Sequence, residues 1–90
     1  MNNINDIINK QIEKCYDKYG SYTSSHEAMG VLFEEIDELW EEVKKKQIDT
    51  EKVGNEIIDC IVVLQKMYQD VVIKECDKKR LIKINLFIFE

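Results

Sequence analysis

Proline is absent from the 90 residues and glycine occurs only three times, so no Pro- or Gly-rich linker divides the chain, and a single domain over residues 1–90 is expected. Histidine occurs once, at His26, which removes the paired Glu-x-x-His motifs of a di-iron helical bundle. The three cysteines, Cys15, Cys60 and Cys76, are odd in number, widely spaced and without a CxxC. That pattern suggests neither a disulfide framework nor a zinc site, and a reducing cytoplasm fits best. An excess of positive charge is also lacking: 13 Lys and Arg face 18 Asp and Glu, a net charge of −5. Proteins that bind a phosphate backbone present clustered cations, so a nucleic-acid polymer is not an expected partner. No apolar run is long enough to span a bilayer, and the start MNNINDIINK lacks the basic and apolar regions of a signal peptide. No membrane role is expected. The composition, 44% hydrophobic and 34% charged, is that of a globule or an amphipathic helical protein rather than a disordered chain.

The apolar residues Ile4, Ile7, Ile8, Ile12, Cys15, Tyr16 and Tyr19 recur at steps of three and four, predicting a helix over about residues 4–19 after an asparagine-rich cap. Gly20 stands where a helix C-terminus favours positive φ, and Ser24 precedes Glu27 at capping-box spacing. A second helix then carries Met29, Leu32, Phe33, Ile36, Leu39, Trp40 and Val43 on one stripe and is expected to end in Lys44, Lys45 and Lys46. Asp49 or Thr50 can cap a third helix, expected to run to about Cys76. At about 1.5 Å per residue, the second and third helices would span roughly 30–40 Å, as long as or longer than a compact domain of this size is wide. The third is also apolar nearly all round from Ile57 to Leu64. The fold class expected is therefore all-α, a bundle of about three main helices per chain completed by homo-oligomerisation, as a homodimer or homotetramer. Residues 81–90, LIKINLFIFE, alternate in part and are left without an assigned conformation.

On the second helix, Glu35, Glu38 and Glu42 share a strip beside the apolar stripe. On the third, Asp59 is the only charged residue between Ile57 and Leu64, and Glu56 lies one turn back on the same side. A buried carboxylate needs a positive partner or takes up a proton; Lys52, Lys66 or a divalent cation would serve. A short connection sets the two helices side by side and antiparallel, so Glu35 and Glu38 can face Glu56 and Asp59. Oxygen-only ligands select hard cations, Mg²⁺ or Mn²⁺, and Mg²⁺ characteristically bridges carboxylates to substrate phosphates. The alternative for the same residues is a solvated acidic face.

HEAMGVLFEEIDELWEEVKKK followed by VGNEIIDCIVVLQKM resembles the MazG-like members of the all-α nucleoside triphosphate pyrophosphohydrolase superfamily, which also includes the dimeric dUTPases. Their motif is Glu-x-x-Glu, a spacer of variable length, then Glu-x-x-Asp, and here it reads Glu35-Ile36-Asp37-Glu38 and Glu56-Ile57-Ile58-Asp59. The resemblance covers about residues 26–67. It implies that Glu35, Glu38, Glu56 and Asp59 hold Mg²⁺, and that an NTP or dNTP is cleaved between its α and β phosphates to a nucleoside monophosphate and pyrophosphate. Such hydrolysis mainly needs charge neutralisation and an aligned water, with one of these carboxylates or Glu34 as the general base.

Lys66, seven residues after Asp59, returns to the same face, where family members often place a polar residue that reaches nucleotide; a surface lysine is the alternative. Lys52 and Lys45 are weaker candidates for substrate binding. Tyr16, Tyr19 and Tyr22 either wall a nucleotide pocket or pack in the core, and Trp40 fits packing better than base stacking. From another class, a non-catalytic helical interaction protein, or a coiled-coil adaptor, would use the same helices without the chemistry.

Overall fold

The computed structural model describes residues 3–73, which form helices α1 (Ile4–Tyr19), α2 (Ser25–Val43) and α3 (Thr50–Met67), followed by a π-helical segment, Tyr68–Ile73. No strand occurs among the described residues, so the all-α class holds. The expected tail at residues 81–90, the end of the third helix beyond residue 73, and Cys76 lie outside them.

Local chemistry sets each helix start. The Asn3 side chain accepts from the Asn5 amide at 2.9 Å, Ser24 Oγ from the Glu27 amide at 3.1 Å, and Asp49 Oδ1 from the Glu51 and Lys52 amides at 3.0 and 3.3 Å. The capping box at Ser24 forms in one direction only. The Glu27 carboxylate turns to the amide and hydroxyl of Thr23 rather than to the Ser24 amide. Gly20 ends α1 with φ of 70° and its amide on the Tyr16 carbonyl, and it has the only positive φ among the described residues.

α2 ends sooner than the lysine run suggests. The Lys44 amide still reaches the Trp40 carbonyl at 2.9 Å, but Lys45 bonds only the Glu42 carbonyl at 3.4 Å, a tightened last turn. The lysines fold back instead, Lys44 onto Glu41 and Lys45 onto Glu42 at 2.7 and 2.5 Å. With 19 and 18 residues, α2 and α3 are each about 28 Å long, short of the upper lengths expected from sequence. The end of the third helix also changes character, because from Tyr68 the turn widens to the π form.

α3 is the central element and packs against both α1 and α2. Ile8 and Ile12 of α1 bury against Val62, with Ile58, Ile61, Cys15 and Tyr16 around them. Ala28 and Leu32 of α2 and Val63 of α3 are the other buried apolar side chains among the described residues. The rest of the predicted apolar stripes is not covered within one chain. Phe33, Ile36, Trp40 and Val43 on α2 are exposed, Phe33 and Trp40 by 59% and 58%, as are Ile57, Leu64 and Tyr68 along α3 and its extension. At 100° per residue the exposed α2 stripe and the strip of Glu35, Glu38 and Glu42 lie on opposite flanks of the Ala28–Leu32–Leu39 core line.

Candidate metal centre and adjoining cleft

Six residues, 44–49, join α2 to α3, and the electrostatic couplings between the helices give their register. Glu42 and Glu38 act on Glu56, Glu38 also on Asp59, Glu35 on Asp59, and Lys66 on Glu27 at the other end. Position numbers fall on one helix as they rise on the other, so the pair is antiparallel.

The acids meet where that pairing predicts. One carboxylate oxygen from each of Glu35, Glu38 and Glu56 lies within 4.8 Å of the others. Asp59 stands beside this triad, coupled to Glu35 and Glu38, without being part of the closest three. Glu42 is a further neighbour that the four-residue motif does not include. Its Oε2 is held by Lys45, and its Oε1 is buried without a hydrogen-bond donor among the described residues. Glu35 Oε2 and Glu56 Oε2 share that condition. The strip Glu35, Glu38, Glu42 could have signalled the fifth carboxylate, since all three fall on one flank of α2.

Crowding acids with few donors raises their proton affinity. Burial, then the charges of Glu38 and Asp59, push the Glu35 carboxyl up to about 7. Glu56 is raised by burial and then by Glu38 and Asp59, and Asp59 by burial and then by Glu38. The Cys60 thiol is pushed up by burial first and by the same acids after it. No ion pair is made to Glu35, Glu38, Glu56 or Asp59 by any lysine among the described residues. The protein cation expected near Asp59 is thus directed elsewhere: Lys66 pairs with Asp70 at 3.8 Å, and Lys52 is exposed on the first turn of α3. Oxygen donors with unpartnered buried lone pairs are the donor set a hard divalent cation takes, so the residues present fit Mg²⁺ or Mn²⁺.

Next to the acids opens a cleft of about 420 Å³, walled by α1, α2, α3 and the loop between α1 and α2. Glu34, Glu35 and Asp59 line it with Tyr19, Tyr22 and Lys66. Of the tyrosines, Tyr19 and Tyr22 reach this cleft, whereas Tyr16 packs against the Ile8, Ile12 and Val62 core. Lys66 is neither a surface lysine nor a free cation, being only 2% exposed. Trp40 lies exposed on the flank of α2 away from the acids, and His26 sits exposed in the first turn of α2. No helix among the described residues is long and apolar enough to cross a membrane. The chain matches no known protein family, curated protein or solved structure.

Proposed function

We propose that this protein is a Mg²⁺-dependent nucleoside triphosphate pyrophosphohydrolase of the MazG-like kind, acting in the cytoplasm on NTPs or dNTPs. The observation that carries the reading is the meeting of Glu35, Glu38 and Glu56 oxygens within 4.8 Å, with Glu35 Oε2 and Glu56 Oε2 buried and unpartnered. Glu35, Glu38, Glu56 and Asp59 would hold the cation, Mg²⁺ or Mn²⁺. The bound ion supplies charge neutralisation for the triphosphate. One of these four carboxylates, or Glu34, which lines the cleft outside the triad, would accept a proton from the attacking water. Lys66, its charge answered by Asp70, would border the substrate from the cleft wall, and Lys52 would contribute positive potential from the α3 N-terminus, one turn before Glu56.

The exposed apolar residues of α2 and α3 support assembly as a homodimer or homotetramer through the flank opposite the acids. The same exposed stripes favour a second reading, a non-catalytic helical interaction protein with this fold. A screen for pyrophosphate release from the eight common NTPs and dNTPs with Mg²⁺ separates the two. The enzyme reading expects release from at least one substrate and its loss in Asp59→Asn. Silence across the whole screen, with the assembly intact, would leave the interaction reading.

A further inference from the structure

One end of the cleft is built around a buried charge pair. Lys66 Nζ lies 3.7 Å from the centroid of the Tyr22 ring, 5.0 Å from that of Tyr16, and 3.8 Å from Asp70 Oδ2. The side chains of Lys66 and Asp70 are each 2% exposed. Asp70 Oδ1 accepts the Tyr16 hydroxyl at 2.6 Å, and Asp70 Oδ2 accepts the Tyr22 amide at 2.8 Å. Gln69 Oε1 is also within reach of the Tyr16 hydroxyl, at 3.1 Å. Groups from α1, the α1–α2 loop and α3 thus converge on one carboxylate of the π-helical segment.

Such a pair is a poor device for stability alone, because well-packed apolar residues often replace buried ions without loss. Its effect here is geometric. Tyr22 sits in the loop between α1 and α2, and Asp70 occupies its amide while Lys66 occupies a face of its ring. An ammonium against one face leaves only the other for a second planar group, so the ring is a one-sided platform. Tyr22 lines the same cleft as Glu35 and Asp59, together with the apolar Val31 and Val63. Wide π turns recur at functional sites, and this one carries Asp70.

We infer that Asp70 is a positioning residue that fixes the Tyr22 ring as the aromatic wall of the cleft, and that this wall takes the planar base of a nucleotide. The inference rests on the functional reading above and assigns the base-bearing end of the same ligand. Ribose 5-phosphate has the sugar and phosphate without the base, so it is the reference ligand.

Calorimetry on the full chain with Mg²⁺ tests this, using the four common nucleoside monophosphates and ribose 5-phosphate. Nucleoside monophosphates are expected to bind roughly tenfold more tightly than ribose 5-phosphate, the scale of one base stacked on an aromatic ring. Tyr22→Leu should remove most of that difference and leave ribose 5-phosphate binding unchanged, Asp70→Asn should narrow the same difference while freeing the Lys66 charge to strengthen both ligand classes, and Tyr22→Phe retains it. If Tyr22→Leu loses its helicity, Tyr22→Trp decides instead, with tighter binding of the monophosphates alone. Equal affinities for the two ligand classes in the natural protein, no nucleotide binding at all, or variants that weaken every ligand together would overturn the inference. Base-dependent binding without any pyrophosphate release would sink the catalytic reading and spare this one; release that is indifferent to Tyr22 and Asp70 does the reverse.

Discussion

Glu35 and Glu56 stand on different helices, and each buries its Oε2 where no donor among the described residues reaches it. Two acids oriented in this way make the metal-free fold dependent on protons. Burial followed by the Glu38 and Asp59 charges raises Glu35 to about 7, well above its ordinary value of 4.5. The raised group contributes stability that is fully present below pH 4.5 and is lost as pH rises through 7. Thermal melts in chelator should therefore give a falling Tm from pH 5 to pH 7.5. Glu35→Gln should flatten that slope, and a Tm that climbs over the interval would contradict the crowding.

Glu38 couples to Glu35, Glu56 and Asp59 at once, so it is the acid whose charge matters most to the others. Glu38→Gln should raise the Tm of the chelated protein and abolish the increase that Mg²⁺ or Mn²⁺ brings to the natural chain. A lower Tm in chelator would argue that these acids do not repel one another.

Lys66 and Asp70 predict a non-additive pair. Lys66→Met leaves Asp70 charged and buried, at an expected loss of about 3–5 kcal/mol in chemical denaturation. Adding Asp70→Leu should return much of that loss, because an apolar pair carries no stranded charge. A single-variant loss under about 1 kcal/mol would place the pair in the class of weak surface bridges.

Phe33 and Trp40 expose more than half of their surface on the flank of α2 that faces away from the acids. Sedimentation velocity should find the natural chain as a dimer or tetramer and Trp40→Glu with Phe33→Glu as a monomer, with unchanged helicity. A natural chain that sediments as a monomer at high concentration would remove the assembly proposal.

Periodicity made α1 legible, with its start after Asn3 and its end at Gly20, and the capping residues Ser24 and Asp49 located the next two starts. The convergence of Glu35, Glu38 and Glu56 could also be read, because helical spacing and a short connection determine which faces meet. What could not be read depends on competition between partners. Lys44, Lys45 and Lys46 all suit a helix C-terminus, so their run did not reveal that α2 ends at Val43, and the pairs that Lys44 and Lys45 make with Glu41 and Glu42 are equally compatible with a longer helix. Lys66 stood on the strip of Asp59 in sequence, yet Asp70, one turn further along, took its charge in company with Tyr16 and Tyr22. The i,i+4 spacing of Lys66 and Asp70 is itself legible, but the convergence of Tyr16 and Tyr22 on the same carboxylate is not, since it needs α1 and the loop at Tyr22 to meet the π turn at Tyr68–Ile73.

Because Asp70 already answers the ammonium of Lys66, the other charged groups lining the cleft, Glu27, Glu34, Glu35 and Asp59, present a negative field to anything approaching. A bare polyanion is slowed at long range by that field, and added salt shortens its reach. Capture of a phosphate-bearing molecule should accordingly quicken with ionic strength or when the phosphates already carry Mg²⁺, the opposite of the salt response of a cation-lined mouth.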